Sequence, residues 1–171
     1  MKKLILIIAF VLPFAAFGQK SPVDKLFEKY GNQDGFTTVN ISGKLLGLAA
    51  GMDTSDEKAT GDMLAKLKGI RILTVEDSLL NSKLDFYEEL KKEGFFNDKS
   101  YEPLMEVTEK NEVVRFLAKD NGNNKLTELL LIVGGKENAL ISITGLIDPE
   151  TIGKITNSLN IDIPNAKIKK K

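Results

Sequence analysis

The chain has 171 residues, with 24 Lys and Arg balancing 24 Asp and Glu, and it contains no His, Cys or Trp. Without His or Cys it cannot carry Ser-His-Asp or Cys-His catalysis, thiol redox chemistry, His-ligated haem or an ordinary zinc centre. A metal would need oxygen ligands, and acid–base work would fall to carboxylates, Lys or Tyr. Charge balance disfavours nucleic acid as the main ligand.

The N-terminus reads as an export signal. Lys2 and Lys3 precede an apolar run from Leu4 to Phe14, and Ala15, Ala16 and Gly18 supply a small-residue exit before Gln19. The uncharged run Leu4 to Gly18 is 15 residues long, short of the roughly 18 a spanning helix needs. Residues 1–18 are therefore predicted to be a cleaved signal peptide and 19–162 a single domain, with 163–171 a basic tail. Cleavage takes Lys2 and Lys3 from the 24 basic residues, leaving 22 against 24 acidic ones. A cysteine-free exported domain has to be held by its core, since no disulfide can staple it.

Ser21-Pro22-Val23-Asp24 has the pattern of a helix start, with Val23, Leu26, Phe27 and Tyr30 on one face and Gly31 as the stop. Phe36 to Ile41 alternates as a half-buried strand. Ser42 can cap an apolar helix through Leu45, Leu46, Leu48 and Ala49 that ends at Gly51. Thr54-x-x-Glu57 forms a capping box for a helix carrying Ala59, Met63, Leu64 and Leu67, which Lys68-Gly69 closes. Ile70 to Val75 suits an inner strand. One long helix is predicted from Asp77-Ser78 to Gly94, with Leu80, Leu84, Tyr87 and Leu90 along its stripe.

Beyond Asn97 the period becomes two. Leu104 to Glu109, Glu112 to Lys119, Lys125 to Val133 and Ala139 to Ile147 read as consecutive strands. Lys110-Asn111, Asn121-Gly122 and Gly134-Gly135 supply their turns. Leu129 to Val133 is apolar on both faces, which suits a central strand. Asp148-Pro149-Glu150 opens a last helix with Ile152, Ile155 and Leu159. The predicted class is α+β: an antiparallel sheet with a C-terminal four-strand meander and helices packed on one face.

Several blocks resemble the domain-of-unknown-function family 4252, small exported proteins of Bacteroidota type, some of them lipoproteins. They are Phe27-Glu28-Lys29-Tyr30, Gly35 to Ser42, Leu67 to Leu73, Glu128 to Gly135 and Ile141 to Gly145. The resemblance covers the chain after its signal and implies an envelope location and one domain. It brings no activity, because the shared blocks are strand and turn residues. This chain lacks the lipoprotein anchor Cys, so the expected product is untethered.

Motifs that could carry chemistry have structural explanations. Ser55-Asp56-Glu57-Lys58 matches S-x-x-K without the companion elements of penicillin-recognising enzymes and lies in a helix start. Paired carboxylates are the other catalytic option left open: Asp85, Glu88, Glu89 and Glu93 lie along one helix, and Asp53, Asp56 and Glu57 cluster near a loop, but spacings of three and four beside Lys suit a solvated face. Asp120-Asn121-Gly122-Asn123-Asn124 has one acid where a calcium loop wants several. Asp77-Ser78-Leu79 fits an Asp-Ser/Thr-aliphatic acceptor for O-glycosylation, although Ser78 equally suits a helix cap.

The apolar segment around Leu46, Leu48 and Met52 and the pair Phe95-Phe96 are the candidate contact residues, either as core or as the lining of a groove. The leading expectation is a non-catalytic, soluble exported protein of the periplasm or cell envelope that binds another exported or membrane protein. No cofactor, metal or nucleic acid, and little membrane contact, is expected. A carrier of a small apolar ligand or lipid is second, and a carboxylate-dependent hydrolase third.

Overall fold

The computed structural model describes residues 20–52, 58–122 and 125–148. Ser21 caps the first helix as predicted: its Oγ accepts the Asp24 N–H at 3.0 Å, and Pro22 sits in the first turn. Helix α1 (Pro22–Tyr30) buries Val23, Leu26, Phe27 and Tyr30. Strand β1 (Phe36–Ser42) follows, then α2 (Gly43–Met52), α3 (Lys58–Lys66) and β2 (Leu67–Val75). Short helices α4 (Ser78–Asn81) and α5 (Phe86–Lys92) and a 3₁₀ turn (Phe95–Asn97) lead into β3 (Tyr101–Glu109), β4 (Glu112–Asp120), β5 (Leu126–Gly135) and β6 (Ala139–Ile147).

The strands make one six-stranded sheet in the order β1-β2-β6-β5-β4-β3, antiparallel at every pairing. Strands β3 to β6 are the predicted meander, and β5 lies inside it. One row crosses the whole sheet through Val39, Ile72, Ile141, Leu131, Phe116 and Met105. The α+β class and the single sheet stand as read from the sequence.

Helix placement differs from the one-face expectation. Successive residues of a strand point to opposite faces, and both faces of β5 are apolar. Leu130 and Ile132 join α1 and α5 in one core, with Phe27, Tyr30, Phe86, Leu90 and Phe95. Leu129 and Leu131 join Leu46 of α2 in a second core, with Met63 and Leu64 of α3 packed against it. A sheet with two apolar faces needs cover on both.

The predicted helix from Asp77 to Gly94 is broken. The Asp77 carboxylate accepts the N–H groups of Leu79 and Leu80 at 2.8 and 2.9 Å, so Asp77, not Ser78, caps α4. Asp85 caps α5 through the Glu88 N–H at 3.0 Å. Two caps eight residues apart outcompete one continuous helix because each satisfies backbone donors that a helix start leaves open. Lys68-Gly69 is already strand: Gly69 pairs with Ser42 on one side and Thr144 on the other. Gly134-Gly135 also belongs to a strand, and the turn falls after it. A Cβ at Gly134 would meet Tyr87 Cβ at 2.6 Å, so this glycine lets α5 lie against β5. The capping box at Thr54 and the final helix after Asp148 lie outside the described residues.

Candidate functional site

Helix α2, GKLLGLAAGM, is apolar nearly all round, yet only part of it faces the core. Ser42 Oγ accepts the Leu45 N–H at 3.3 Å and starts the helix as predicted. A Cβ at Gly43 would stand 2.7 Å from the Lys68 carbonyl, so this glycine seats the helix directly on β2. Gly61 of α3 plays the same part towards the Ala50 carbonyl, 3.2 Å from its would-be Cβ. Held this way, α2 buries Leu46 and turns Leu45 and Leu48 to solvent, 57% and 58% exposed. Gly47 and Gly51 also face open space, and Ala49 is exposed. Val39, on the adjoining strand β1, is exposed too. Met52 ends the helix; its side chain lies outside what is described.

Phe95 and Phe96 sit on the other face of the sheet, so the two predicted segments do not share a groove. Phe95 is core. Phe96 is half-buried and stacks edge-on to Phe95 at 5.2 Å between centroids. Together with Tyr101, Pro103, Glu106 and Arg115 they line a surface cleft of about 270 Å³. The Arg115 guanidinium lies 4.7 Å from the Phe96 ring centre and 5.1 Å from that of Tyr87, and bonds Glu106 at 2.7 Å. Phe96 is thus a wall that holds an arginine in place.

A polar row that sequence reasoning did not single out crosses this same face. Glu128 accepts the Tyr101 hydroxyl on one oxygen and the Ser142 hydroxyl on the other, each at 2.7 Å. Burial, reinforced by the bond to Glu128, pushes the Tyr101 hydroxyl well above its ordinary range. Further along, Arg71 pairs with Asp24 at 2.7 Å and lies 4.4 Å from the Phe27 ring centre. Burial alone would raise the Asp24 carboxyl; hydrogen bonds from Arg71 and Ser21 and the charge of Arg71 outweigh it and hold the group low. The available signal was parity: Glu128 shares a face with Leu130 and Ile132, and Arg115 with Leu117.

The acidic residues of α5 each have a structural partner. Asp85 caps the helix, and Glu88 pairs with Lys91. Glu89 takes Lys29 at 2.8 Å and the Tyr30 hydroxyl at 2.6 Å; Glu93 takes Lys25. These contacts fasten α1 to α5. Asp120 accepts the Gly122 N–H at 2.8 Å in the predicted turn, where Gly122 adopts positive φ. Ser78 is exposed at the start of α4. Among the described residues no three acidic side chains gather as metal ligands, and no helix is long and apolar enough to cross a membrane.

Residues 30–155 match the family described as Domain of unknown function (DUF4252). The chain belongs to the DUF4252 family. The match runs from the last turn of α1 across the whole sheet, and so takes in α2, the Phe96 cleft and the Glu128 row. No curated protein and no solved structure matches the chain. Membership in DUF4252 therefore supports the fold unit and assigns no chemistry to any of these residues.

Proposed function

We propose that this DUF4252 protein is an exported envelope protein that works by binding another exported or membrane protein, with the outward face of α2 as the contact. The observation that carries the reading is the split of one short helix. Leu46 is 7% exposed, whereas Leu45 and Leu48 are more than half exposed on the opposite side. Exposed leucines side by side, joined by Ala49, cost solubility unless a partner covers them. The export-type N-terminus supports the envelope location. Two carboxylates, Glu89 of α5 and Glu128 of β5, support binding over hydrolysis, since each has both oxygens bonded to neighbouring side chains. The clefts favour a protein partner over a lipid: the 270 Å³ cleft carries Asp98, Glu106 and Arg115 in its lining.

The test places a photo-crosslinking amino acid at Leu48 and, separately, at Leu79, which is 69% exposed on α4. Cells expressing each variant are irradiated and fractionated. The reading expects one discrete envelope adduct from position 48, absent from position 79 and lost when Leu45→Lys is added. Identical adducts from both positions, or none from 48, would overturn it. The intact mass of the purified chain tests export directly, because removal of residues 1–18 gives a defined mass loss.

A further inference from the structure

The two edges of the sheet are built differently. Edge strand β3 carries Glu102, Pro103, Glu106 and Glu109, and its register shifts between Pro103 and Met105. Charges, a proline and a bulge are the usual devices that keep an edge from pairing with another strand. Edge strand β1, Phe-Thr-Thr-Val-Asn-Ile-Ser, has none of them and keeps an unbroken register with β2 over all seven residues.

The direction of its free backbone groups follows from the neighbouring bonds. The Glu76 N–H bonds the Gly35 carbonyl and the Val75 N–H bonds the Asn138 carbonyl. Antiparallel ladders alternate, so Thr37, Val39 and Ile41 bond β2 while Thr38 and Asn40 turn their N–H and C=O groups outward. Among the described residues no other backbone group meets them. Thr38 reaches only inward with its side chain, donating to the Gly31 carbonyl at 3.0 Å.

We infer that β1 pairs with β1 of a second copy of this chain, antiparallel about a two-fold axis at Val39, so that two sheets join edge to edge. The strand is self-complementary in that register. Thr38 and Asn40 of one copy exchange backbone bonds with Asn40 and Thr38 of the other. On the α2 face, Val39 meets Val39 and Thr37 meets Ile41, uncharged and mostly β-branched pairs of the kind that stabilise sheets. Val39, now 38% exposed, is covered at the axis. On α1's side of the edge Arg71, opposite Asn40, is paired with Asp24, and Lys20 with Glu28, so no single-sign field opposes the approach. This pairing uses β1 and is independent of the α2 contact.

The chain has no cysteine, which makes the test clean. At a non-hydrogen-bonded pair the Cα atoms are about 4.5 Å apart, within disulfide reach. Val39→Cys is therefore expected to oxidise rapidly to a covalent dimer. Thr37→Cys, on the same face but about 13 Å from its counterpart along the strand, is expected to stay monomeric. In sedimentation runs the cysteine-free chain, purified as the cell processes it, should double in mass as concentration rises about a hundredfold. Both Asn40→Pro, which deletes one outward donor, and Val39→Lys, which sets like charges at the axis, should leave a folded monomer by circular dichroism. A monomer at every concentration, equal oxidation of the two cysteine variants, or a dimer surviving both edge variants would overturn the pairing. So would a monomer whose β1 amide signals move only on adding an extended peptide of unrelated sequence.

Discussion

Asn138 Oδ1 accepts the backbone N–H of Phe86 at 2.7 Å, across 52 residues of chain. Its Nδ2 donates to Asn81 Oδ1 at 2.8 Å and to the Leu84 carbonyl at 3.1 Å. A buried side chain in the β5–β6 turn thus satisfies the chain where it breaks between α4 and α5. This amide acts with the Asp77 and Asp85 caps to make the segment from Asp77 to Gly94 two helices rather than one.

Asn138→Ala should therefore be among the more damaging polar substitutions. It leaves the buried Phe86 N–H without an acceptor, at a cost of about 2–3 kcal/mol. Urea unfolding would read the loss as a lower midpoint with an unchanged slope. An effect below about 0.5 kcal/mol, the level of an ordinary surface change, would mean that the break is held by the Asp77 and Asp85 caps alone.

The two sides of α2 should respond oppositely to truncation. Leu46→Ala removes a buried contact of the second core and is expected to cost about 2–4 kcal/mol. Leu48→Ala, at an exposed position, should stay within about 0.5 kcal/mol while weakening the crosslink described above. Thermal melts of the two variants side by side would make the comparison.

Tyr101 predicts an alkaline limit. Burial and its bond to Glu128 raise its hydroxyl above the ordinary value of 10.0, so the folded chain keeps a proton that the unfolded chain releases. That contribution is whole below about pH 10 and is lost as pH rises from there towards the folded value. Tyr101→Phe should flatten the fall in stability measured between pH 9 and 11. Tyr30, raised by burial and by Glu89, and Lys29, raised by its bond to Glu89, contribute to the slope that remains.

Asp24 acts in the opposite sense. Its folded carboxyl is held below the ordinary 3.8, so its stabilisation is present above that value and is lost as pH falls through the lower, folded one. Asp24→Asn should lower stability at neutral pH and reduce the steepness of acid unfolding below about pH 4. Denaturant titrations at pH 7 and pH 3 would show whether the two chains converge in acid.

Much of the fold is legible in local pattern. Ser21, Pro22 and Asp24 announced α1, and alternation announced β3 to β6, because capping and strand periodicity depend on residues close in sequence. The outward and inward residues of α2 are half legible: an apolar run is visible in the chain, but Leu46 and Leu48 look alike there. Phe95 and Phe96 were visible as a pair, while their partner Arg115 was hidden in a strand that otherwise reads apolar.

The sequence by itself determined the composition limits, the α+β class, the antiparallel meander and the ends of most elements. Those follow from short-range chemistry: what a Ser can cap, what an Asn-Gly can turn, which parity a strand buries. Only the tertiary structure decided that helices cover both faces, that β1 and β3 are the edges, and that Glu128 meets Tyr101 and Ser142. It also decided which leucines of α2 face water. Each of these depends on which distant strands become neighbours, and that choice is made by burying two apolar faces at once, a condition no local window contains.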